Sequence, residues 1–165
     1  MTFKGYAHVL GDFINTDEHA SDKYKPAGTP VEEIRRTLFS DLRPGFVQSL
    51  KPGDFLVAGK GFGTVSSRVD ASINIRAVGI RAVLARSFGM LFYRNAINSG
   101  LPCIECDTSG IRDDDALEVD FDKGEIRNLT TGTLLTFKPF PREIQNILHD
   151  GGLLEHIRRH GDYSL

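Results

Sequence analysis

Short apolar stretches bounded by glycine, proline and acidic turns run along the chain, and their spacing alternates between strand and helix periods. Tyr6-Ala7-His8-Val9-Leu10 reads as a first strand closed by Gly11-Asp12, with Asn15 to His19 a polar loop held by an Asx-type turn. Val31 to Ser40 has helical spacing through Val31, Ile34 and Leu38, behind Pro30 and with acids in its first turn. Phe46, Val47 and Leu50 lead to the turn Pro52-Gly53-Asp54 and the strand Phe55 to Ala58. Ala71, Ile75 and Val78 give one face of a helix from Val69 to Val78, stopped by Gly79. Ile80 to Ala85 is apolar around Arg81, as a buried parallel strand is. Ser87 is placed to cap a helix from Phe88 to Ser99, which Gly100 ends, and Pro102 precedes a strand from Cys103 to Cys106.

This succession predicts an α/β fold, a central sheet covered by flanking helices. Leu117 to Phe121, Ile126 to Leu129 and Leu134 to Phe137 add short β-hairpins, turned at Asp122-Lys123-Gly124 and Thr131-Gly132. Pro141 to His160 is an amphipathic helix broken near Gly151-Gly152. No repeat or internal boundary divides the chain, so residues 1–165 read as a single domain.

Composition narrows the classes. A chain of 165 residues, 40% hydrophobic and 25% charged, is long enough for one globular core. A net charge of -2 with scattered Lys and Arg gives no field suited to nucleic acid. No apolar run approaches the ~20 residues of a membrane span. Met1-Thr2-Phe3-Lys4-Gly5 lacks the apolar core of a secretory signal, so a cytoplasmic location is expected.

Candidate chemistry concentrates at Gly59-Lys60-Gly61-Phe62-Gly63-Thr64-Val65-Ser66-Ser67-Arg68, between a strand and a helix. Glycines there permit tight turns, and a helix start with two hydroxyls and a guanidinium suits a carboxylate or phosphate. A serine N-cap beside a surface arginine satisfies the same pattern. Cys103 and Cys106 have C-x-x-C spacing, but their odd offset along a strand sends them apart, so a structural role is expected and no metal site. Asp113-Asp114-Asp115 reads as hydrated surface and His19 as a solvent-exposed loop histidine.

Several motifs in order carry a more specific signal: Gly11-Asp12-Phe13-Ile14-Asn15-Thr16-Asp17, Val57 to Gly63, Ser66-Ser67-Arg68, Ala82 to Phe88, and Phe92 to Pro102. Together they resemble the small subunits of 3-isopropylmalate dehydratase, which correspond to the swivelling β/β/α domain of the aconitase superfamily. The resemblance spans residues 5–160 and is strongest from 55 to 105.

It implies a heteromeric hydro-lyase that dehydrates and rehydrates a hydroxy di- or tricarboxylic acid. Ser66 would be the base that takes the carbon-bound proton, acting as an alkoxide. Arg68 would grip a substrate carboxylate, Ser67 would help hold it, and Asp17 would lie buried beside the serine. Tyr24, Lys23 and Lys25 would fall in the loop that closes over the variable part of the substrate. There Lys23 and Lys25 replace the Arg and Leu of the usual Arg-Tyr-Leu, and Lys25 suits a polar or anionic tail. The 4Fe-4S cluster would sit on a large subunit, because the superfamily's cluster needs at least three protein thiolates and this chain has two cysteines. The sequence departs from the family at Thr64-Val65, where Val65 replaces a glycine, and at Val69-Asp70, where Glu-His is usual. Those departures keep a second reading in view, a non-catalytic carboxylate-binding or regulatory module.

Overall fold

One strand, β1 (Thr2–Val9), joins the two halves of the sheet in this computed structural model, which describes residues 2–22 and 28–161. Its first half pairs antiparallel with β5 (Ala116–Asp120), Thr2 opposite Asp120 and Tyr6 opposite Ala116. Its second half pairs parallel with β2 (Phe55–Val57), Ala7 opposite Phe55. Beyond β2 come β3 (Ala82–Ala85) and β4 (Cys103–Glu105), both parallel. Beyond β5 come β6 (Glu125–Asn128) and β7 (Leu134–Thr136), both antiparallel. The seven-stranded sheet runs β4-β3-β2-β1-β5-β6-β7.

The sequence of β1 fits this double duty. Thr2, Lys4 and Tyr6 are exposed in the antiparallel half, whereas Ala7 and His8 are both buried where the parallel half is covered on both faces. Parallel neighbours need crossovers. Three short helices, α1 (Thr16–His19), α2 (Val31–Arg36) and α3 (Phe46–Ser49), connect β1 to β2. Helix α4 (Asp70–Ala77) connects β2 to β3, and α5 (Met90–Asn98) connects β3 to β4. A helical pair, α6 (Arg142–Asp150) and α7 (Leu153–His160), follows β7.

Alternation along the strands divides the core. Leu56, Ala58, Val83 and Ala85 face Ala71 and Ile75 of α4 and Phe92 and Ala96 of α5. Phe55, Val57, Ala82 and Leu84 face the hairpin residues Leu117, Val119, Ile126 and Phe137, with Ile144 and Leu148 of α6 packed against them. No helix among the described residues is long and apolar enough to cross a membrane.

Two local expectations change. The loop after β1 contains a one-turn helix, with the Asn15 side chain accepting from the Asp17 N–H at 3.1 Å. Helix α5 begins at Met90 with Gly89 as its N-cap, and the Ser87 hydroxyl instead accepts the Gly61 N–H at 2.9 Å. His8 and Asp54 form a buried pair at 2.7 Å, and the Asp54 carboxylate also accepts from the N–H groups of Tyr6 and Lys51. That carboxylate ties β1 to the turn entering β2.

Cys103 belongs to one core and Cys106 to the other, so the thiols face opposite sides of the sheet. Burial pushes both thiols up, Cys106 to about 12. At pH 8 a thiol with that pKa holds about 10³-fold less thiolate than a free cysteine of pKa ~8.5. The native protein is therefore expected to show no fast-reacting thiol toward a disulfide reagent, and two once unfolded. A rapid native burst would contradict this burial.

Candidate active site

The exits of β1, β2 and β3 meet at one edge of the parallel sheet, where open α/β sheets place their ligands. Asp12, just past β1, accepts from the Lys60 N–H at 2.7 Å and the Arg86 guanidinium at 2.8 Å. The Lys60 hydrogen bond above all, with Arg86 adding to it, holds the Asp12 carboxyl below its usual range. Phe62 donates its N–H to Ser87 at 3.0 Å and accepts the Gly89 N–H at 2.8 Å. Its ring is wholly buried among Phe39, Phe88 and Phe92, 5.1 Å from the last. This aromatic peg fixes the middle of the glycine loop. Gly63 then turns with φ +72 and donates to Ile14 at 2.8 Å.

Beyond that turn, the chain wraps around Asp17. The Asp17 side chain is fully buried and accepts from the Ser66 hydroxyl at 3.2 Å. It accepts the Ser67 N–H at 3.1 Å, the Ser67 hydroxyl at 2.9 Å and the Arg68 N–H at 3.4 Å. Ser66 is 2% exposed, whereas Ser67 and Arg68 are open to solvent. The Arg68 guanidinium pairs with Asp22, and the Asp22 N–H is held by the Asp70 carboxylate at 3.1 Å. Burial, reinforced by the neighbouring Asp22 charge and opposed by that N–H, pushes the Asp70 carboxyl up.

The structure thus brings Ser66, Ser67, Arg68 and Asp17 together, in an arrangement different from the expected one. Helix α4 starts at Asp70, so the two hydroxyls and Arg68 precede it rather than form its first turn. The Ser67 N–H and hydroxyl, expected to hold a substrate carboxylate, engage the protein's own Asp17. The glycine missing at Val65 costs no backbone strain: among the described residues, the non-glycine positions with positive φ are Phe13, Phe39 and Asp114. His19 is only 12% exposed in its side chain and bonds Asp41 at 2.6 Å, so it is not a free loop histidine. Lys23, Tyr24 and Lys25 lie outside the described residues.

Asp22, Asp12 and Arg86 were missed as site residues. Asp12 and Arg86 lie inside the quoted motifs and could have been found there, but nothing in the spacing links Asp22 to Arg68, 46 positions away. Around the loop stand large apolar side chains facing water: Phe13 at 70% exposure, Val65 at 63% and Met90 at 77%.

The model of the aconitase C-terminal domain family matches residues 19–109, which assigns the serine loop and the exits of β2 and β3 to that class of domain. The chain is 41% identical, over the whole of both sequences, to 3-isopropylmalate dehydratase small subunit 2 of Archaeoglobus fulgidus. It is 46% identical to the 3-isopropylmalate dehydratase small subunit of Caldicellulosiruptor saccharolyticus, over 96% of this chain and 92% of that one. The crystal structure of 3-isopropylmalate dehydratase from Methanocaldococcus jannaschii superposes with a TM-score of 0.89 at 37% identity, covering 98% of this chain and 96% of that one. The chain belongs to the family of 3-isopropylmalate dehydratase small subunits.

Proposed function

We propose that this chain is the small subunit of a heteromeric hydro-lyase, active with its large subunit on a hydroxy di- or tricarboxylic acid. The observation that carries the reading is the convergence of Ser66, Ser67 and Arg68 on the buried Asp17, at the open edge of the sheet. Dehydration requires a base for a proton on carbon and a cation for the adjoining carboxylate. Ser66 is the proposed base and Arg68 the proposed cation. The Arg68–Asp22 pair is about half exposed, and such pairs contribute only ~0–1 kcal/mol, so a substrate carboxylate can take the guanidinium over.

The surroundings of Ser66 favour a proton relay over a standing alkoxide. A carboxylate at 3.2 Å disfavours a second negative charge on the serine oxygen. The same carboxylate can receive the hydroxyl proton as the serine oxygen takes the substrate's. The Ser67 N–H and hydroxyl and the Arg68 N–H also donate to this carboxylate, which supports its role as the acceptor.

Cys103 and Cys106 face opposite sides of the sheet and cannot share a cluster. The 4Fe-4S cluster, the Lewis acid for the departing hydroxyl, is accordingly proposed to be held by the large subunit. The apolar rim of Phe13, Val65 and Met90 is the proposed docking surface for that subunit. Lys23, Tyr24 and Lys25 are proposed to contact the substrate's variable tail.

The burial of Ser66 favours one other reading, a carboxylate-binding module without turnover. Co-expression with the large subunit separates the two. Oxygen-sensitive alkene formation from 3-isopropylmalate, or from a hydroxy acid with an anionic tail, is expected only from the pair. A stable pair inactive across such a panel would overturn catalysis.

A further inference from the structure

A second constellation lies on α6 and α7. Gly151 and Gly152, between them, press on Asn98 and Gly100 at the C-terminal end of α5, while Gly63 meets Gly89 at its start. Nine helical residues, about 13 Å at 1.5 Å per residue, separate the two contacts.

His156 and His160 stand four apart on α7, the spacing that puts two imidazoles on one helix face. Both turn onto one oxygen of Asp150, the last residue of α6: His156 Nδ1 lies 2.6 Å and His160 Nε2 2.9 Å from Asp150 Oδ2. All three ligand atoms fall within 4.8 Å of one another. We infer that Asp150 Oδ2, His156 Nδ1 and His160 Nε2 form a binding site for a divalent first-row metal ion of the zinc class.

Tetrahedral zinc with bonds near 2.0–2.1 Å sets its ligand atoms about 3.3 Å apart. The two N···O separations therefore need to widen by less than an ångström. Two imidazoles and a carboxylate are a donor set for Zn²⁺, with a fourth position left for water. His160 is exposed at this corner, which gives an ion a way in. Arg159 donates to the other carboxylate oxygen at 2.9 Å and so fixes the direction of Oδ2, as outer partners of metal-bound carboxylates do.

His156 is buried at this corner with its Nδ1 already turned to the carboxylate. It is 2% exposed, and its Nε2 has no hydrogen-bond partner. That holds whichever tautomer the ring adopts. Buried polar groups left this way call for a reason. The ring is oriented by its Nδ1 contact with Asp150 Oδ2, the contact that the ion would replace.

The test uses the untagged full-length chain, stripped with chelator and titrated with Co²⁺ and Zn²⁺ alone. Saturable binding of one ion is expected, with visible Co²⁺ bands of a nitrogen–oxygen site and no thiolate charge-transfer band. At 100-fold excess of Zn²⁺ over Kd, the melting temperature is expected to rise by roughly 5–10 °C. His160→Ala alters an exposed side chain and is expected to weaken binding at least about tenfold. His149→Ala is expected to bind as the parent does, since its Nδ1 lies 3.7 Å from the Arg159-bound oxygen. No saturable binding below about 100 µM, or equal affinities for His160→Ala and the parent, would overturn the assignment. Because the isolated chain is used, the result is independent of whether the reconstituted pair turns over.

Discussion

Ser66→Ala, assayed in the pair with the large subunit, is expected to lower kcat by about 10³-fold, the scale of a lost general base. The pair should still assemble, because the substitution removes a single oxygen whose bond is to Asp17, inside this chain. Asp17→Asn distinguishes how Ser66 works. If the serine passes its proton to Asp17, the amide cannot receive it, and kcat should fall as far as in Ser66→Ala. If Ser66 is an alkoxide stabilised by cations, removing the nearby anion should leave the rate unchanged or raise it. Asp17→Asn also sets an amide donor among the Ser66, Ser67 and Arg68 donors, a loss of about 2 kcal/mol in stability. Melting curves of the isolated variant would measure that loss apart from chemistry. Near-normal turnover in Ser66→Ala would reject the serine as base altogether.

Most of the fold was legible because the parallel strands announce themselves. Phe55 to Ala58 and Ala82 to Ala85 are continuous apolar runs, and both are buried on two faces. The hairpins beyond β1 alternate, and their glycine turns fall between them. Less legible was anything decided by a distant partner. Ser87 has the right residue type for an N-cap, yet its hydroxyl is drawn to Gly61, a choice that depends on β2 and β3 lying side by side. Helix α4 starts at Asp70, one residue past the expected Val69. The Asp17 carboxylate competes for the N–H groups of Ser67 and Arg68, and local spacing carries no record of a residue 50 positions earlier. His8 and Asp54 likewise meet only through strand pairing.

Gly89→Ala is expected to be the most damaging single-methyl change near the site. Gly89 has φ −66 and ψ 132, a conformation alanine adopts freely, so backbone preference does not require a glycine there. Contact does. A methyl built on it would lie 2.2 Å from the Gly63 oxygen, 2.6 Å from the Gly63 carbonyl carbon and 2.7 Å from the Thr64 Cα. These are backbone atoms and cannot rotate away. The loop must move, and Phe62 resists, since its buried ring and its bonds to Ser87 and Gly89 pin the preceding residue. Such overpacking costs about 3 kcal/mol, which in a chain of this size lowers the melting temperature by roughly 10 °C. The effect on turnover is expected to exceed the effect on stability. The same Gly63 carbonyl accepts the Ser66 N–H at 3.0 Å, so displacing it displaces the proposed base. A 1 Å misplacement of a reacting group costs about 10²-fold in rate. Gly110→Ala is the control, because a methyl there meets nothing within 4 Å and should change stability by less than about 0.5 kcal/mol. If the two variants melted together and turned over alike, the close packing of α5's start against the glycine loop would not be what holds Ser66 in place.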